Sequence, residues 1–125
     1  MSFTVNKQDL KKSQKCPPGM HLFTLTEVED EYFNEKGTKV QKVDFETDSG
    51  YIVAYWFNDK FVSNMIEFVQ AADGITLDMD MEELDINLKD YKGKRVAGAV
   101  SHIKDKNNKI QAQIDNFFNP DKVPF

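Results

Sequence analysis

A chain of 125 residues that is 40% apolar, with ten phenylalanines, is long enough for one domain with a real core and too apolar to be disordered. Its single cysteine, Cys16, excludes an internal disulfide and fits a reducing cytoplasm. The formal net charge of −5 argues against a polyanionic partner, until its distribution is considered. Residues 1–15 carry four lysines against one aspartate, and residues 92–109 six cations against one aspartate. The stretch between them, 16–91, holds five lysines and seventeen acids. A folded surface presents patches rather than sums, so a local basic stripe can attract phosphates while the remainder repels them.

No apolar run approaches the roughly 20 residues of a membrane helix. Residues 1–12 lack the apolar stretch of a signal peptide, so an unprocessed cytoplasmic protein is expected. Residues 1–18 have little periodicity and end in Cys16-Pro17-Pro18-Gly19, where two prolines and a glycine stop any regular element. They read as a mobile or loosely docked basic arm. The first strand is expected from Met20 to about Glu29, followed by a polar loop, residues 30–37, that contains Tyr32 and Phe33. The second runs from about Thr38 to Thr47, with Val43 and Phe45 on one face and Lys42, Asp44 and Glu46 on the other. Asp48-Ser49-Gly50 is a tight turn, and Tyr51 to Phe57 is a third strand, apolar on both faces.

The period then changes. Phe61, Val62, Met65, Ile66, Phe68, Val69 and Ala72 recur at three and four residues, which predicts a helix over 59–73. Asn58 or Asp59 would cap its start and Gly74 its end, and Met65, Phe68 and Val69 would enter the core. Residues 75–91 form a long acidic connection with about one helical turn near 81–84. Lys94 to Lys104 is the fourth strand, with Ala97, Gly98 and Ala99 suiting tight curvature or a close backbone approach. A turn at 106–109 leads to the fifth strand, Ile110 to Phe117, with Ile110, Ala112 and Ile114 inward and Gln111, Gln113 and Asp115 outward.

Three strands, one helix and a last hairpin is the connectivity of the OB-fold, a five-stranded Greek-key barrel that binds oligonucleotides with one sheet face and two loops. The expected architecture is therefore mainly β, with the helix between strands three and four. The domain should span 19–118, between the arm, 1–18, and a short tail, 119–125.

No catalytic motif and no cofactor motif is present, so binding, not catalysis, is expected. The strongest cluster is aromatic: Tyr51, Tyr55, Trp56 and Phe57 crowd one strand. Tyr51, Tyr55 and Phe57 point one way and Ile52, Ala54 and Trp56 the other. One set fills the core; the other can stack on bases at roughly 1–3 kcal/mol each. Trp56, on a face shared with Ile52 and Ala54, looks more like core, which favours the tyrosines as stacking platforms. Tyr32 and Phe33 either tuck into the barrel mouth or wait for a ligand. Arg95, Lys104, Lys106 and Lys109 would lie on the last hairpin, and Lys36, Lys39 and Lys42 on the first clamping loop and its strand. Convergence of these two groups depends on the fold. Asp78, Asp80, Glu82 and Glu83 suggest a metal site only weakly, since they lack the glycine and distal spacing of a calcium loop; a metal-dependent nuclease using Asp78, Asp80 and Glu82 is the second rival reading. Capping and solvation explain them as well. His21 and His102 have no nucleophile motif nearby.

Three segments carry a family resemblance: Gly19-Met20-His21-Leu22, residues 64–74 from Asn64 to Gly74, and residues 90–96 from Asp90 to Val96. Over about residues 19–118 the chain resembles the small single-stranded DNA-binding proteins of bacteriophages of low-GC Gram-positive bacteria. The resemblance implies an OB-fold and non-catalytic binding of single-stranded DNA in phage replication or recombination, in the host cytoplasm. The end of the chain, from Asp121 to Pro124 and Phe125, is similar to the acidic Pro-Phe tip through which bacterial single-stranded DNA-binding proteins recruit replication and repair proteins. Lys122 and the missing long linker depart from that tip. Single-stranded DNA is thus the expected partner, with recruitment through Pro124 and Phe125 and self-association as further expectations. The rival is an OB-fold protein-protein adaptor that binds no nucleic acid.

Overall fold

Alternating apolar residues pair the strands into one antiparallel sheet. In this computed structural model, which describes residues 2–6, 14–77 and 85–124, the sheet has six strands. β1 is Gly19–Val28, β2 Tyr32–Phe33, β3 Lys39–Thr47, β4 Ile52–Asn58, β5 Arg95–Lys104 and β6 Ile110–Phe118. The helix α1, Val62–Asp73, lies between β4 and β5, and short 3-10 turns occupy Leu88–Tyr91 and Pro120–Lys122. β4 pairs with β3, β3 with β1, β1 with β5 and β5 with β6. The expected fifth and last strand is therefore the sixth. Tyr32 and Phe33, expected in a loop, form the two-residue β2 against Val40 and Lys39.

The expected barrel is not closed by hydrogen bonds. β4 and β6 end the sheet with no ladder joining them among the described residues. They approach instead through rings: Phe117 of β6 lies 5.2 Å from Tyr55 and 6.1 Å from Phe57, centroid to centroid. Phe68 of α1 packs on both strands, 5.4 Å from Phe57 and 5.5 Å from Phe117, and reaches Phe45 at 5.6 Å. Offset and edge-on ring pairs at these separations add to the area each ring buries. The Phe117 N–H, at the sheet's end, donates to Glu67 Oε1 of α1 at 2.5 Å. The helix thus plugs one end of the seam with rings and one carboxylate.

The rest of the core follows the strand pattern. Phe23, Leu25, Val43, Phe45, Val53, Val96 and Ile114 are buried. The small residues of β5 have the purpose their size suggests: a Cβ on Gly98 would sit 3.0 Å from Ile114 Cγ2 and 3.0 Å from Phe23 Cε2. β6 shifts register against β5 between Ala99 and Val100, the kind of bulge that bends a sheet towards closure. Ile110, expected inward, is exposed at the strand's start.

α1 starts later than its periodicity suggests. Asn58 Oδ1 accepts the N–H groups of Lys60 and Phe61, forming a turn ahead of the helix, and Phe61 stands at the N-cap without a side-chain cap. Asp59 instead accepts the Lys39 N–H. Gly74 closes the helix in the left-handed conformation at φ 67, where a side chain would be strained. Phe68, Val69 and Ala71 are buried and Met65 packs against the core. Phe61, Val62 and Ile66, expected on the buried face, are exposed, because one sheet can cover only part of so wide an apolar stripe.

The arm is docked where it meets the sheet. Cys16 is fully buried, and burial pushes its thiol up to about 11, so it stays protonated. His102 Nε2 donates to the Cys16 carbonyl at 2.8 Å and His21 Nε2 to the Pro17 carbonyl at 2.7 Å. The two histidines are thus pins for residues 16 and 17. Among the described residues no helix is long and apolar enough to cross a membrane.

Candidate nucleic-acid interface

Beyond the ring-packed end, β4 and β6 part. Between them lies a groove of about 810 Å³ lined by Ile52, Trp56, Ile103, Gln111 and Gln113, with Lys15 at its margin. Residues 52–56 of β4 form one wall, and residues 111–114 of β6 with Ile103 at the end of β5 form the other. Trp56 is 52% exposed here, not core. Ile52 and Ala54 suggested burial because apolar neighbours usually share a covered face, but the seam leaves that face open. Tyr55 is turned inward, with ring centroids of Phe45, Phe57 and Phe117 within 6.3 Å. Burial, and then the Glu67 charge, raise its phenol above the ordinary value. Tyr51 is half-buried against the same core. Trp56 is therefore the exposed ring of this strand, while Tyr55 lines the same groove from the packed side. Tyr32 and Phe33 are both exposed on β2, away from this groove's lining.

Carboxylates divide the cations into two sets. Lys39 lies 3.4 Å from Glu31, Lys42 lies 3.4 Å from Glu29, and Arg95 is held by both oxygens of Asp48 at 3.0 and 2.8 Å. Lys36, Lys104, Lys106 and Lys109 have no ion pair with any described residue. Three of these four stand at the tip of the β5–β6 hairpin, whose root lines the groove.

Asp105 shapes that tip. Its Oδ1 accepts the N–H groups of Asn107 at 2.8 Å and Lys109 at 3.0 Å, and its Oδ2 accepts Gln111 Nε2 at 3.2 Å. Asn108 sits at φ 62, the left-handed position such a turn requires. The backbone bonds, Lys109 first, then the Gln111 amide, hold the Asp105 carboxyl below its ordinary range. The single acid of the hairpin tip is therefore a turn-former, and it leaves the three lysines spread around a defined loop.

Sequence reasoning missed Lys15, Ile52, Ile103, Gln111 and Gln113 as groove residues. For Gln111 and Gln113 a signal existed: their outward parity on the last strand was read correctly, but nothing local says that this strand faces β4. Pro124 is exposed, and Phe125 lies outside the described residues, as do Asp78, Asp80, Glu82 and Glu83. No protein-family model matches the chain, and no curated protein matches it.

Proposed function

We propose that this protein binds single-stranded DNA without sequence preference, as an OB-type barrel serving phage replication or recombination in the host cytoplasm. The observation that carries the reading is the shared groove: the one tryptophan and the root of the hairpin that bears Lys104, Lys106 and Lys109 line the same cleft. Bases stack on Trp56, and Lys104, Lys106 and Lys109 meet the phosphates, with Arg95 and Lys42 recruited from their carboxylates. Stacking tolerates any base because every base has a π-face. The connectivity supports the OB-type assignment, since helix and strands follow the barrel's order and only the last β4–β6 ladder is missing.

Titration of single- and double-stranded DNA and RNA oligonucleotides, without divalent metal and at several salt concentrations, tests the reading. Single-stranded DNA should bind most tightly, and log affinity should fall with log salt by about 0.7 per phosphate neutralised. Changing Lys104, Lys106 and Lys109 together to Gln should flatten that slope by about 2. No salt-sensitive binding to any of the four overturns the reading. It would favour the adaptor, for which the exposed Phe61, Val62 and Ile66 on α1 offer an apolar surface.

A further inference from the structure

The Trp56 ring already carries a cation. Lys42 Nζ lies over the Trp56 ring, 5.8 Å from its centroid, within the range at which a cation is attracted to the π-face. The same ammonium is held from the other side by Glu29 Oε2 at 3.4 Å. Register makes this arrangement natural. Lys42 and Trp56 are directly paired across β3 and β4, so both side chains rise from the same face of the sheet. Glu29 arrives from the end of β1, where its N–H donates to the Lys42 carbonyl at 2.9 Å. Three neighbouring strand positions thus build a chain of carboxylate, ammonium and indole.

Resting on the reading of Trp56 as a stacking platform, we propose that Lys42 is a lid on that platform and Glu29 is its latch. A base that stacks on the covered face must first displace the ammonium from the ring. The displaced lysine leaves Glu29 as well, and a phosphate entering beside the base is the natural new counter-ion. One side chain therefore both closes the empty site and clamps the filled one. Glu29 sets the cost of the exchange, because it stabilises only the closed arrangement. Glu31 holds Lys39 at the same 3.4 Å, but the cation–ring contact belongs to Lys42.

The test uses the full-length protein, with Trp56 as the only tryptophan reporter. Glu29→Gln removes the latch; Glu35→Gln removes one negative charge from the nearby connection, where no lysine pairs with it. The probes are acrylamide quenching of the free protein and titration with a single-stranded oligothymidine. Glu29→Gln should raise the acrylamide quenching constant and tighten oligothymidine binding about two- to fivefold, the range an exposed ion pair of this kind commands. Glu35→Gln should leave quenching unchanged and tighten binding less. Equal affinities for the two variants, or unchanged quenching in Glu29→Gln, overturn the lid while leaving the DNA-binding reading intact. If wild-type protein binds no oligonucleotide, the functional reading fails and the lid fails with it.

Discussion

The seam between β4 and β6 has two ends, and the same two strands make them opposites. At one end Phe57 and Phe117 meet Phe68 of α1 in a buried ring cluster. At the other end Ile52 and Trp56 look across a groove at Gln111 and Gln113. Strand composition does not separate them, since both ends of β4 are apolar. The helix does. Phe57, on the face that α1 covers, is structural, and its neighbour Trp56, on the opposite face, is left facing solvent. An exposed aromatic inside an otherwise conventional strand is informative because the fold had a way to bury it and did not.

This comparison breaks most readily at the closed end. Phe68→Ala should cost about 3–5 kcal/mol in urea unfolding, because the rings around it cannot collapse into the space of a lost phenyl. A loss below about 1 kcal/mol would mean that the seam is not held by that ring. Gly98→Ala probes the sheet behind the seam. The new methyl would press on Ile114 and Phe23, and overpacking of this kind costs about 1–3 kcal/mol. A neutral result would show that β5 and β6 can separate freely.

At the open end the signs reverse. Trp56→Ala should leave the melting temperature close to wild type while weakening single-stranded DNA binding by about 1–3 kcal/mol. DNA should also quench the wild-type tryptophan emission. A variant that melts early but binds normally would move Trp56 to the structural side. The smallest effect expected is at the hairpin tip. Asp105 has a folded-state pKa depressed below its ordinary 3.8, so its contribution is fully present above that value. It is lost as pH falls through the lower, folded value. Amide exchange at Asn107 and Lys109 should therefore stay protected down to about pH 4 and rise below it, whereas Asp105→Asn should weaken that protection at neutral pH.

Local chemistry alone was enough for the order of the long elements, though not for the two-residue β2. The prolines and glycine at 17–19, the alternation around Val43 and Phe45, the three-four spacing of Met65, Phe68 and Val69 and the glycine at 74 each act within a few residues, so they are visible in one dimension. The parity of β4 was legible too: Tyr55 and Trp56 had to face opposite ways. Which of the two faces was covered was not, because that depends on α1, β6 and the missing β4–β6 ladder, all distant in sequence. The same reason separates the cations. Lys39, Lys42 and Arg95 looked equivalent to Lys104, Lys106 and Lys109 as charges. Only pairing across strands and turns put Glu31, Glu29 and Asp48 beside the first three and left the last three unmatched. Residue type set what each side chain could do; long-range packing decided which of them stayed free to do it.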